Sequence, residues 1–441
     1  MSVRLPASFS PRIGIAVCLA AVALIAGLFA PASVRACPFC SAPSMTLTEQ
    51  LAKSDAALLV ELKSSREGTD SETPSTTFKV VDVIRDSTSA YKKDGSVEIP
   101  RFRAGKSGDL ALLMGTKIDT LEWADPLPVT KEIYSYVSDA PSYDADPKDR
   151  LAYFMKFLEH ADPTIANDAY AEFANAPYKD ITRVVDKMPK EQIRGWVMNA
   201  ETSPTRLGLY GLMLGLCGDE KDAALMEQRV VNKGEDEFRL GIDGVMGGYL
   251  LLKGPAGLDV VDKAKFLDKK VPFSETYAAL QALRFMWQYG DDRISKERLR
   301  ASMRLLLDRP ELSDIVIADL ARWKDWTVQD RLRGMYGQEA YDVPSVKRAI
   351  VRYMFASTKD TGDKPAADKG ASEKVAPEQP AAGDSPKPAA EANPKPVSPV
   401  GTGTIVAAGP VPPHVAKGLK YLDELREKDP KLVKDVERFL Y

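Results

Sequence analysis

Near residue 140 the spacing of apolar side chains changes from two to three and four, and that change divides the chain into parts of different architecture. A period of two lines one face of a strand, whereas three and four line one side of a helix. Short runs rich in apolar or β-branched residues occupy 56–62 (AALLVEL), 76–84 (TTFKVVDVI), 95–102 (GSVEIPRF), 109–114 (DLALLM) and 129–137 (VTKEIYSYV), after a helix-like segment at 47–53. Gly, Pro, Asp and Ser breakers separate them, so they read as five strands. Isolated hairpins would bury too little surface, and the expected solution over 37–140 is a small five-stranded Greek-key β-barrel.

From 146 to 357 the segments 150–160, 164–175, 205–217, 222–231, 237–252, 275–289, 296–307, 313–323 and 345–356 carry helical spacing. Pro163, Pro204, Pro272, Pro310 and Pro344 mark helix starts, and Glu235 opens a comparable segment without proline. Counted from the residue after each proline, with Glu235 inserted, the starts recur at intervals of 41, 30, 38, 38 and 34. That drifting period predicts an array of helical pairs, with an irregular helical bundle as the competing architecture. Gly208, Gly211 and Gly215 are read as sites of close helix contact.

At the other extreme of the chain, 1–36 reads as an export signal. Arg4 and Arg12 precede an uncharged apolar stretch over 13–30, and Val34-Arg35-Ala36 suits cleavage before Cys37. An uncleaved membrane anchor and lipid attachment at Cys37 are the competing readings. Export leaves Cys37, Cys40 and Cys217, an odd count for an oxidising compartment. Cys37-Pro38-Phe39-Cys40 fits a local structural disulfide, a redox-active dithiol or metal ligation. A redox C-x-x-C normally follows a strand, and this one precedes all of them. Ser41 stands where haem attachment needs histidine. Cys217, inside an apolar helical stretch, reads as a buried inert thiol.

The N-terminal cysteine pair, the short helical segment and the runs SDAALLVELKSS, FKVVDVIRDS, GSVEIPRF and SGDLALLMG resemble the netrin-like domain related to the tissue inhibitors of metalloproteinases. That resemblance implies a barrel of the oligonucleotide/oligosaccharide-binding type. Inhibitors of the family grip the protease zinc through the amine and carbonyl of the N-terminal cysteine, here Cys37. The family also pairs its N-terminal cysteines with others along the barrel, whereas no cysteine occurs between Ser41 and Leu216. Further on, SPTRLGLYGLMLGLCGDEKDA, PFSETYAALQALRFMWQYGDD and ELSDIVIADLARWKDW resemble HEAT or armadillo-type repeats.

The stretch 358–413 carries eleven prolines and no aromatic residue, and its composition predicts a disordered linker. Beyond it, 414–441 is expected to form two helices, one with Val415, Leu419, Leu422 and Leu425 in a stripe and one starting at Pro430. They either dock back on the repeats or bind another partner.

Little in the chain invites catalysis. There are only two histidines, His160 and His414, too few for a multi-histidine metal site, and no metal ligands or cofactor-binding residues are assigned. Arg103-Ala104-Gly105-Lys106-Ser107 fails the phosphate-loop pattern because Pro100 stands where glycine is required. With 60 basic and 63 acidic side chains the net charge is −3, which gives no field for nucleic acid. The most interface-like feature is Trp323 and Trp326 with Arg331 and Arg333 downstream. At 441 residues there is room for two to four domains, and the expected protein is an exported, non-enzymatic binding or scaffolding protein. Its partner would be a protein or a cell-envelope ligand. A thiol-disulfide oxidoreductase or redox-sensitive regulator using Cys37 and Cys40 is the alternative, and a metalloproteinase inhibitor a weaker one.

Overall fold

The computed structural model describes residues 37–41, 44–69, 71–117, 119–232, 239–361 and 411–439. The apolar leader, the helix start read at Glu235 and most of the proline-rich stretch lie outside these residues.

Thr46 opens helix α1 (Leu47–Lys53) by accepting the Glu49 N–H. Six strands follow: β1 (Ala56–Arg66), β2 (Ser75–Asp86), β3 (Ser96–Ile99), β4 (Leu110–Lys117), β5 (Leu121–Trp123) and β6 (Leu127–Pro128). They form an antiparallel sheet in the order β3-β2-β1-β4-β5, with β6 also on β4. Residues 56–60 of β1 are buried in succession, so both faces of the strand are covered. On one face Leu58, Val60 and Leu62 meet Phe78, Val80, Val97, Ile99, Ala111 and Leu113 inside a curled sheet. On the other, Leu59 and Leu112 join the helical core. Register shifts between β1 and β2 at Ala57/Leu58, Leu59/Val60 and Leu62/Ser64 supply the bending.

Two expectations are corrected here. The ladder is a path and not a ring, because among the described residues no pairing joins β3 to β5 or β6. In place of a closed five-stranded barrel there is an open six-stranded sheet whose gap is bridged by side chains. Arg101, just past β3, donates to Asp125 at 2.6 Å and to the Trp123 carbonyl, and Tyr91 meets Trp123 edge-on at 5.3 Å. The second correction concerns 129–137, which forms helix α2 (Lys131–Ser138) instead of a strand. Its buried residues, Ile133, Tyr136 and Val137, stand three and four apart, and the Thr130 hydroxyl accepts the Ile133 N–H.

The remainder is helical: α3 (Pro147–Phe154), α4 (Pro163–Asn175), α5 (Tyr178–Thr182), α6 (Lys190–Met198), α7 (Pro204–Cys217), α8 (Glu220–Val231), α9 (Ile242–Val261), α10 (Phe273–Tyr289), α11 (Lys296–Leu305), α12 (Ser313–Arg322), α13 (Gln329–Met335), α14 (Pro344–Lys359), α15 (Pro413–Lys428) and α16 (Pro430–Arg438). Asp146 and Asp162 cap α3 and α4 with side-chain oxygens, each followed by proline in the first turn. Among the described residues no helix is long and apolar enough to cross a membrane.

Helices α7 and α9 are apolar nearly all round and form the centre of the array. Glycines let their backbones touch. A Cβ on Gly215 would lie 2.2 Å from the Gly248 Cα, and one on Gly248 would lie 2.0 Å from the Gly211 oxygen. Gly244 faces Gly208 in the same way, at 2.1 Å from its oxygen.

Ion pairs tie separate segments of the helical region together. Arg150 pairs with Glu172, Arg194 with Asp222, Arg239 with Glu275 at 2.5 Å and Arg284 with Asp319 at 2.7 Å, and all four acids are buried. Lys265, fully buried, adds a second bond to Glu275 at 2.7 Å. Removing an arginine strands a carboxylate away from water. Arg194→Met, which leaves Asp222 at 0% exposure, is expected to cost about 3–5 kcal/mol in urea unfolding. A loss below about 1 kcal/mol, the value of a surface pair, would show the bridge to be ornamental.

The C-terminal pair docks. Leu422, Leu425, Val433 and Val436 enter the core of the array, and α15 lies along α14. Arg333 holds Glu424 at 2.7 Å, Lys417 holds Asp330 at 2.8 Å, and the Tyr336 hydroxyl meets Asp429 at 3.2 Å. His414 Nε2 lies 2.7 Å from the Asp360 carbonyl, so the two flanks of the proline-rich stretch meet at one point.

Candidate functional site

The sequence singled out the cysteine pair and the Trp/Arg cluster, and both are engaged within the chain. Cys37 and Cys40 form a disulfide. The turn between them is pressed into the helical core rather than displayed. Cys37 is 6% exposed and donates its N–H to the Ala174 carbonyl at 3.1 Å, while Cys40 is half-buried. Phe39 packs on Phe285 at 4.8 Å between centroids. Its seat exists because two neighbours lack side chains: a Cβ on Gly208 would lie 2.5 Å from the Phe39 oxygen, and one on Gly247 would lie 2.4 Å from the ring. Just beyond, the Tyr170 hydroxyl accepts the Ser41 N–H at 3.2 Å. Cys37 is therefore buried, with its N–H engaged by the chain itself.

Behind this turn lies a polar junction between the β unit and the helices. Asp168 accepts the Leu47 N–H at 2.7 Å and the Tyr136 hydroxyl at 2.7 Å, and Glu172 accepts from Thr48 and Arg150. Burial pushes the Asp168 carboxyl up to about 6. Asp243 is likewise raised to about 6 by burial. The hydrogen bonds to Asp168 hold α1, α2 and α4 in one arrangement, a fixing role that needs no substrate.

In the Trp/Arg cluster, Trp323 is buried and stacks on Trp287 at 4.2 Å. Trp326 donates its indole N–H to Asp360 at 2.7 Å and lies over His414 at 6.0 Å. Arg331 bonds Asp308 at 2.8 Å and the Arg304 carbonyl, and Arg333 is held by Glu424 with its guanidinium 5.6 Å from the Tyr421 ring. Trp326 and Arg333 thus face the C-terminal helices. The two histidines also have local partners. His160 Nδ1 accepts the Asp162 N–H at 3.1 Å and its Nε2 lies 3.4 Å from Glu132. Burial raises the Cys217 thiol to about 11, away from thiolate chemistry at neutral pH. Among the described residues no three His, Cys, Asp or Glu side chains are grouped to hold a metal ion.

A concave site does exist, at a place the sequence reading passed over. A hollow of about 430 Å³ opens at one end of the curled sheet, between its inner core and α2. Leu62, Phe78, Ala111, Pro126, Val129 and Ile133 supply an apolar lining, and Arg103, Asp109 and Thr130 are the polar side chains. A second hollow of about 300 Å³ adjoins it, lined by Lys63, Ser64, Ser65 and Ser107 among others. Leu62, Arg103, Ala104 and Gly105 line both. The segment rejected as a phosphate loop is therefore the shared wall of a two-part cleft. Hydrogen bonds fix that wall: the Thr76 hydroxyl accepts the Arg103 N–H at 2.9 Å, and Ser65 donates to the Arg103 carbonyl at 2.6 Å. No periodicity marks such a site, because its residues come from β1, β2, β4, β6, α2 and the loops between them.

Compared with known proteins, the chain matches no family model, no curated protein and no solved structure.

Proposed function

We propose that this is an exported, non-enzymatic binding protein, in which a netrin-like β unit presents a ligand cleft on a HEAT-like helical platform closed at its end by the C-terminal helices. The observation that carries the reading is the cleft. It is concave, mostly apolar, of ligand-binding size, and lined by a few polar groups on hydrogen-bonded backbone. The ligand would be a cell-envelope or protein-borne group.

The repeat character of the platform draws support from its ion pairs. Arg150, Arg194, Arg239 and Arg284 stand 44, 45 and 45 residues apart, each bound to a buried acid further along the chain. HEAT and armadillo repeats have a period of about 40–47 residues. Arg150, Arg194 and Arg284 stand on helices and Arg239 just ahead of one, which fits an irregular array. Another 45 residues on, the buried Gln329 donates to Ser357 at 3.0 Å and to the His414 carbonyl at 2.8 Å. At the last position an amide that binds the C-terminal helices replaces the guanidinium.

An oxidised Cys37–Cys40 pair suits an oxidising compartment, and the burial of Cys37 favours a structural staple over exchange chemistry, which needs an accessible sulfur. Mass spectrometry of the mature protein tests this directly. The chain is expected to begin at Cys37 with the bond intact after mild monothiol treatment. Rapid reduction of the native protein, with both sulfurs alkylated and the fold retained, would instead favour the oxidoreductase.

A further inference from the structure

We infer that the cleft, if it is the binding site proposed above, receives a single-chain amphiphile with an anionic head, the chain in the larger hollow and the head at Arg103. The larger hollow is walled mainly by Leu62, Phe78, Ala111, Pro126, Val129 and Ile133, and its few polar side chains, Arg103, Asp109 and Thr130, leave most of the surface apolar. The smaller has Lys63, Ser64, Ser65 and Ser107 on its wall. A ligand filling both must be apolar at one end and polar at the other.

Charge decides the sign of the head. Arg103 Nε is buried without a hydrogen-bond partner, a state that costs free energy until an acceptor arrives. The rest of its guanidinium lies 3.2 Å from Asp125, which also takes Arg101 at 2.6 Å, so two cations share one carboxylate. The neighbouring acids are already engaged. Asp109 accepts the Lys106 N–H at 2.7 Å, and Glu61 holds Lys63 at 2.7 Å. A cationic head would meet Arg101 and Arg103, two cations that share one carboxylate, and a neutral tail alone would bury the Arg103 Nε further. An anionic oxygen satisfies the orphaned N–H, and the hydrogen-bonded backbone at Thr76 and Ser65 has already oriented the arginine.

The test is calorimetric titration of the full chain with decanoate, decyl phosphate, decan-1-ol and acetate, each below its micelle concentration. Decanoate and decyl phosphate are expected to bind, decanol about tenfold more weakly or worse, and acetate not measurably. Arg103→Gln should weaken both anions about tenfold or more and leave decanol unchanged, while Ala104→Trp, on the exposed lip, should block all three. Thermal unfolding of each variant confirms that it is folded. Equal binding of decanol and decanoate, unaffected by Arg103→Gln but lost in Ala104→Trp, would overturn the anionic head and leave the cleft standing. Binding of none of the three long-chain probes would overturn both.

Discussion

Gly248→Ala is expected to lower stability by about 3 kcal/mol, although alanine is the better helix former. The added methyl would lie 2.0 Å from the Gly211 oxygen, and the carbonyl it meets belongs to a helix backbone that cannot rotate away. To make room, α7 and α9 must move apart at the centre of the array, loosening the contacts of Leu212, Val245 and Tyr249, all fully buried. Gly215→Ala should behave alike, since its methyl would lie 2.2 Å from the Gly248 Cα. Two other helical glycines supply the contrast. Gly195 in α6 and Gly334 in α13 have nothing within 4 Å of an added Cβ, so alanine there should stabilise by about 0.5–1 kcal/mol. Urea unfolding of the four variants separates the explanations. A uniform gain at all four would mean that helix propensity governs and that α7 and α9 do not touch as described.

The same glycines illustrate what a sequence can disclose. Gly208, Gly211 and Gly215 are spaced three and four apart, so they share one side of α7, and close packing follows from that spacing alone. Their partners, Gly244 and Gly248, are visible only in the folded chain. Local patterns were likewise sufficient for the long helices, where proline, caps and apolar stripes agree. They failed at 129–137, because Thr130 was counted as a β-branched strand residue when its hydroxyl starts a helix. They also failed at α6, where the buried Ile193 and Val197 make too narrow a stripe to stand out, and at the barrel, where side chains such as Arg101 and Asp125 span a gap that strand pairing leaves open. The candidate sites were harder still. Cys37 and Cys40 could be seen, but not that Ala174 would hold the Cys37 N–H and Gly247 make room for the Phe39 ring between them. Trp326 and Arg333 were legible as residues that favour burial against a partner, and the chain itself supplies part of that partner in α15. Arg103 was visible only inside a failed motif, since an unpaired Nε beside an apolar hollow is a property of three-dimensional surroundings.

Phe39→Ala is the second large effect, and its size relative to loss of the disulfide tests what anchors the N-terminal turn. Phe39 is a buried ring against Phe285 and the Gly208 and Gly247 backbones, and deleting such a ring costs about 3–5 kcal/mol. The disulfide closes a loop of only four residues, for which chain entropy gives about 2 kcal/mol. Phe39→Ala should therefore destabilise the oxidised protein more than the paired substitution Cys37→Ser with Cys40→Ser does. The double serine variant should still bury Phe39, because the glycine-lined seat is independent of the sulfur bridge. If the serine variant proves the less stable of the two, the cystine and not the ring holds the turn. Reduction would then release the segment that leads into α1, where Leu47 and Thr48 tie the β unit to Asp168 and Glu172, and a redox-controlled junction would replace the static one. With the ring as anchor, the β unit and its cleft keep their place on the platform whichever state the sulfurs are in.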